Sequence, residues 1–223
     1  MQDPPPRKLY DEAYFRKWYR DPKKRIVRRE GVERKVAMAV SVTEHLLGRR
    51  IASVLDVGCG EGAWFPLLRA LRPRLRYVGL DTSDYAVRRF GRSRHVRRGS
   101  WGQLSDLRFD DPFDLVVCSD TLHYVRASEV VAGAEVLPEL VAGVAYLDFL
   151  SADDDLETGI EGDLVGFKMR RASWYRRKFR EAGLVECGLG FWAASELAPQ
   201  LTAVERVPEA RGRRLVPRPK QPS

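Results

Sequence analysis

Residues 54–64 read Val54-Leu55-Asp56-Val57-Gly58-Cys59-Gly60-Glu61-Gly62-Ala63-Trp64. An apolar run ends in three alternating glycines, and an amphipathic stretch follows. This order predicts a buried strand, a tight turn and then a helix. Gly58 and Gly60 lack a Cβ, so the backbone can take up positive φ and lie directly against a ligand. A helix starting at about residue 62 would aim unpaired N–H groups and its positive dipole end at the same spot. The spacing is G-x-G-x-G, which departs from the G-x-G-x-x-G of dinucleotide sites. Asp56, just before the turn, would repel a pyrophosphate and attract an ammonium group.

The next strand carries a second acid. Tyr77-Val78-Gly79-Leu80-Asp81 ends 25 residues after Asp56. An ionised carboxylate offers two acceptor oxygens and so can hold both hydroxyls of a ribose. An ammonium-seeking acid, an open glycine turn and a ribose-binding acid together suit adenosine joined to an amino acid.

Further outward the pattern alternates. Ile51–Val57, Arg76–Leu80, His95–Arg97, Phe113–Cys118 and Val141–Phe149 read as short strands buried on both faces. Helical periodicity covers about 32–48, 62–72 (with Trp64, Leu67, Leu68 and Leu71 facing inward), 83–90, 126–138 and 173–182. Ser83 suits an N-cap, and Gly48 and Gly183 suit stops. Leu184–Trp192 and Leu201–Val207 are expected to pair as a last hairpin. The fold class is therefore α/β, a doubly wound and mostly parallel sheet of seven strands with a terminal antiparallel hairpin. Right-handed crossovers bring the strand C-termini to one edge, where ligands bind.

The ends of the chain differ from its middle. Of the net charge of +8, residues 1–35 hold +6 and residues 208–223 hold +4, leaving −2 for the rest. Residues 1–32 form a basic, aromatic N-terminal segment in which Tyr10, Tyr14, Phe15, Trp18 and Tyr19 recur at helical spacing over 9–20, with Asp21-Pro22 as the stop. Residues 208–223 read as a disordered basic tail. Basic ends can dock on nucleic acid or an acidic partner, or be merely solvated. Three Cys without a C-x-x-C pair and three scattered His exclude a disulfide framework and a zinc site, and no metal is expected. No apolar run is long enough to cross a membrane, and the opening MQDPPPRKLYDE lacks the apolar core of a secretory signal, so the expected location is cytoplasmic.

VLDVGCGEG (54–62), YVGLD (77–81), Gly99-Ser100-Trp101 and FDLVVCSDTLHYV (113–125), in that order, resemble the class I S-adenosylmethionine-dependent methyltransferases. The resemblance spans about residues 33–207 and implies a Rossmann-like methyltransferase domain with S-adenosyl-L-methionine as cofactor. By the same resemblance, Asp56 orders the glycine loop and helps hold the methionine ammonium, and Gly58, Cys59 and Gly60 contact the methionine portion. Asp81 holds the ribose, with Thr82 beside the adenine. Ser100 and Trp101 stand where the family usually has an acid facing the adenine amino group. Ser100 departs from that pattern, and Trp101 is either an adenine contact or simply buried. Cys118 and Ser119 turn their backbone to the methionine chain or the transferred methyl. The aromatic segment either packs on the sheet or forms a lid, with Tyr14 or Trp18 closing over the cofactor.

Asp120, His123 and Tyr124 follow the fourth strand on the ligand edge. His123 has the unperturbed pKa of a general base, and Asp120 is the second candidate. Against this, residues 122–125 can also read as a helix start. Tyr14 and Tyr124 are the candidate acceptor contacts. The stretch 151–163 holds Asp153, Asp154, Asp155, Glu157, Glu161 and Asp163 without a Lys or Arg. It would attract a cationic acceptor, or it is a solvated loop. There is no Asn/Asp-Pro-Pro-Tyr motif and no Pro-Cys or Thr-Cys nucleophile, which disfavours nucleic-acid methylation. The expectation is methyl transfer to oxygen or nitrogen of a small molecule. The alternatives are an RNA or protein methyltransferase docking through the basic ends, or a cofactor-binding interaction protein without catalysis.

Overall fold

The computed structural model describes residues 8–25, 28–154 and 165–201. The chain begins with a short helix α1 (Glu12–Phe15) that passes into a π turn (Arg16–Arg20). Asp11 caps it by accepting from the Tyr14 N–H at 2.8 Å. Then come α2 (Arg29–Leu47), β1 (Ser53–Val57), α3 (Trp64–Leu71), β2 (Arg76–Asp81), α4 (Asp84–Arg94) and β3 (Val96–Arg98). A 3-10 turn (Trp101–Asp106) leads to β4 (Phe113–Ser119), a second one (Leu122–Tyr124), α5 (Ala127–Leu140) and β5 (Val141–Asp148). The chain closes with α6 (Ala172–Glu181), β6 (Val185–Gly188), β7 (Phe191–Ala193) and a 3-10 stretch (Ser195–Leu201).

The seven strands run in the order β3-β2-β1-β4-β5-β7-β6. β1 to β5 are parallel, and β7 pairs antiparallel with both β5 and β6. Every residue of β1 is buried, because successive side chains enter different cores. Val54 packs under α2 and α3 with Val36, Ala39 and Leu68. Leu55 packs under α5 and α6 with Val130, Leu137 and Phe179. Chain order reverses between β1 and β4, and at such a switch point a crevice opens at the strand C-termini. The predicted caps hold: Ser83 accepts from the Ala86 N–H at 3.1 Å, and Gly48 ends α2 with φ 65°.

Three expectations need correction. The last hairpin does not pair 184–192 with 201–207. Gly188, Leu189 and Gly190 all have positive φ, so the chain reverses there and β6 folds onto β7. Leu201 lies in the 3-10 stretch, and residues 202–207, like the tail 208–223, lie outside the described residues. The segment at 9–20 is not one α-helix but a single α turn followed by the π turn. Leu71, the last residue of α3, is exposed rather than inward-facing, while Trp64 and Leu68 are buried.

Trp101 is likewise a core residue and not an adenine platform. It is 2% exposed, its indole N–H donates to the Val130 carbonyl at 3.0 Å, and its ring packs edge-on to Phe179. Gly133 on α5 makes room for it, since a Cβ there would lie 2.2 Å from the indole nitrogen. Gly133→Ala is expected to destabilise the fold by about 1–3 kcal/mol through overpacking, read as a lower urea midpoint. An unchanged midpoint would contradict this packing.

Candidate active site

At the C-terminal ends of β1 and β2 the glycine turn and Asp81 form one unit. Gly58, Gly60 and Gly62 have φ of 77°, 55° and 69°. The N–H groups of Gly58 and Cys59 both donate to the Leu80 carbonyl, at 2.8 and 3.0 Å. The Gly60 N–H donates to Asp81 Oδ2 at 2.7 Å, and the Ser83 N–H donates to Asp81 Oδ1 at 2.8 Å. One carboxylate thus ties the turn after β1 to the turn after β2. Burial raises the Asp81 pKa, and the Ser83 and Gly60 N–H groups oppose that rise. Thr121, after β4, closes the third side, because a Cβ on Gly58 would fall 2.3 Å from its Oγ1.

Asp56 lies beneath the turn rather than in the crevice. It is 3% exposed and accepts from the Tyr77 hydroxyl at 2.7 Å. Burial raises its pKa to about 7, the Tyr77 hydroxyl pulls it down, and Asp81 adds to the rise. The unfolded carboxyl titrates at about 3.9, so the folded state binds the proton more tightly. Stability from this group is complete below that value and is lost as pH rises through about 7. Asp56→Asn removes the titration. Wild type should therefore lose stability relative to the variant between about pH 4 and 7 and run parallel to it above. Urea unfolding across that range checks this, and parallel profiles throughout would refute it. Cys59 is buried, and burial raises its thiol pKa, which leaves it a packing residue.

Thr82 is exposed beside Asp81. Ser100 follows β3 and donates to Gln103 Oε1 at 2.9 Å, so two neutral side chains stand where an acid was sought. The Cys118 side chain is buried in the core, leaving its backbone at the β4 end.

Past β4, Asp120 adopts φ 54°, a left-handed conformation that Asp tolerates better than most non-glycine residues. Its side chain is exposed and pairs with Lys35 Nζ at 3.1 Å. Lys35 also pairs with Asp148, which accepts from Ser119 Oγ at 3.2 Å and from the Tyr146 hydroxyl at 3.3 Å. Burial would lower the Lys35 pKa, but Asp120 and Asp148 outweigh it and keep the ammonium charged.

His123 does not offer a general base. It is 2% exposed, and its Nδ1 accepts from the Leu150 N–H at 3.2 Å. Burial, with the Lys8 charge, lowers its pKa to about 4, so the ring is neutral at pH 7 with its proton on Nε2. Its one lone pair is already engaged. Tyr124 packs against His123 with ring centroids 4.2 Å apart, and Lys8 Nζ lies 3.7 Å from its centroid. Tyr14 stacks edge-on with Tyr10 and Phe15. Of the acidic stretch, 155–163 lies outside the described residues, and Asp154, itself exposed, accepts from the Ser151 N–H and Oγ.

Sequence reasoning missed four groups: Phe15 and Tyr19 over the turn, and Lys35 with Asp148 beside Asp120. Asp148 had a signal, since it ends β5 as Asp81 ends β2. Lys35 had none, because its partners lie on other elements.

Residues 55–142 match the family model of a methyltransferase domain. Nodulation protein S of Bradyrhizobium diazoefficiens is 33% identical over 113 residues, which cover 47% of this chain and 51% of that protein. The match thus spans about half the length of this curated relative. A SAM-dependent methyltransferase from Archaeoglobus fulgidus superposes with a TM-score of 0.60 at 14% identity, covering 78% of this chain and 74% of that one. The plantazolicin methyltransferase BamL, solved with a desmethyl analogue and SAH, gives 0.57 at 14% identity over 70% and 65%. At such identities the structural likeness is one of fold. No described helix is long and apolar enough to cross a membrane.

Proposed function

We propose that this chain, whose residues 55–142 match a methyltransferase-domain model, transfers a methyl group from S-adenosylmethionine to oxygen or nitrogen of a small-molecule acceptor. The observation that carries this reading is the joint anchoring of the bare Gly58–Gly60 turn by Asp81. Each Asp81 oxygen accepts one backbone N–H and keeps a lone pair for a ribose hydroxyl. The residues fit the cofactor: Gly58 and Gly60 carry no side chain of their own to exclude it, and the acid stands one strand away.

We assign the methionine portion to the backbone of Gly58, Cys59 and Gly60, the ribose to Asp81, and the adenine edge to Thr82 and Ser100. Backbone of Cys118 and Ser119 flanks the transferred methyl. Asp56 acts from below, by fixing the turn. S-adenosylmethionine supplies a methyl group on a cationic sulfur that leaves readily. The protein's own work is to hold the acceptor in line and exclude water. Asp120 is the group we assign to take the acceptor's proton; desolvation and Asp148 raise its pKa, which favours proton uptake, and the paired Lys35 opposes that rise. Tyr124 and Tyr14 stand at the acceptor side. We assign the catalytic unit to residues 33–207, a covering role to the described part of the N-terminal segment, 8–25, and the cytoplasm as its place of action.

A specific observation favours one alternative: Arg16, Lys17, Lys23, Lys24 and Arg25 are all exposed on the N-terminal segment, a basic stretch that suits RNA. Incubating the protein with S-adenosylmethionine and either a metabolite extract or total RNA separates the two. Mass spectrometry should find one-methylene gains among small molecules. Gains confined to the RNA would select the alternative, and none in either would reject methyl transfer.

A further inference from the structure

The N-terminal segment brings a group to the site that the glycine motif does not contain. Phe15, the last residue of α1, and Tyr19 in the π turn meet edge-on, with ring centroids 5.0 Å apart. π turns recur at functional sites. Phe15 is buried among Cys59, Ala86, Phe90 and Val96 and anchors the segment. Arg20 pairs with Glu61 within the glycine turn and donates to the Tyr85 hydroxyl at 2.8 Å. So held, Tyr19 carries its phenol oxygen over the bare backbone, where a Cβ on Gly60 would lie 3.0 Å from it. The groups facing that phenol are Tyr14 from its own segment, Asp81 from β2, Asp120 after β4 and Glu61 from the turn. Burial, with these charges, raises its pKa, so it stays a protonated donor. No described residue makes a hydrogen bond to it. Tyr19 is half-buried, and its hydroxyl, held over a ligand-binding turn, is placed to donate to a ligand there.

We infer that Tyr19 is a cofactor-contacting residue whose hydroxyl hydrogen-bonds the amino-acid end of S-adenosylmethionine above Gly60. This rests on the cofactor reading given above, and it adds a contact from outside the matched domain, residues 55–142. Tyr19→Phe removes only the hydroxyl and keeps the ring on Phe15. Calorimetry with S-adenosylhomocysteine, and with 5′-methylthioadenosine, which lacks the amino-acid end, tests the inference. Tyr19→Phe should weaken the first about tenfold, as for a lost hydrogen bond to a charged group, and leave the second and the ligand-free melting temperature unchanged. Unchanged affinity for S-adenosylhomocysteine would overturn the inference, as would equal weakening of both ligands. Absence of binding by wild type would instead overturn the cofactor reading on which it rests.

Discussion

Gly58→Val is expected to abolish S-adenosylmethionine binding. Gly58 has φ 77°, and a Cβ there would lie 2.3, 2.6 and 2.9 Å from Thr121 Oγ1, Cγ2 and Cβ. A β-branched residue in the left-handed region costs about 1–2 kcal/mol before any contact is counted. Overpacking against Thr121 adds about 1–3 kcal/mol. Relieving both requires the turn to change its backbone conformation, which disturbs the N–H bonds of Gly58 and Cys59 to the Leu80 carbonyl. The turn then no longer presents bare backbone. Calorimetry should show affinity reduced by more than about a hundredfold, and thermal unfolding should occur at lower temperature. Wild-type affinity in this variant would mean that the cofactor lies elsewhere.

Asp81→Ala should have a comparable effect on binding by a different route. Its carboxylate serves the Gly60 N–H and the Ser83 N–H, so removing it leaves two buried donors unsatisfied, at about 1–3 kcal/mol each. It also removes the proposed ribose acceptors, each hydrogen bond to a charged group contributing about 1.5–3 kcal/mol. Affinity should fall at least about a hundredfold. Asp81→Asn keeps the shape but only one acceptor oxygen, and its amide N–H faces a backbone N–H. Its affinity should lie between those of wild type and Asp81→Ala, and full affinity in Asp81→Asn would refute the two-oxygen role.

Much of the architecture is legible in the sequence for one reason. Parallel strands covered on both faces read as continuous apolar runs, so β1, β2, β4 and β5 stand out between helical stretches. The glycine turn and Asp81 are legible because each is a local arrangement of backbone demands: positive φ at Gly58 and Gly60, and an acid at a strand end. The hairpin is not legible because an apolar run hides where it bends. The three positive φ values at Gly188, Leu189 and Gly190 decide that, and only two of those residues are glycine. Aromatic spacing at 10–19 shows a face but not what it covers: it points equally to Tyr14 and Trp18, whereas Phe15 and Tyr19 meet the turn. His123 illustrates the same limit: its residue type suits a base, but the Leu150 N–H that occupies its Nδ1 comes from beyond β5. The Lys35, Asp120 and Asp148 cluster joins three elements and exists only once they are packed.

The most direct test is calorimetric titration of the purified chain with S-adenosylhomocysteine, with Asp81→Ala alongside. A saturable one-to-one isotherm for wild type that disappears in Asp81→Ala is predicted. No heat and no thermal shift for wild type, or equal binding by both proteins, would contradict it.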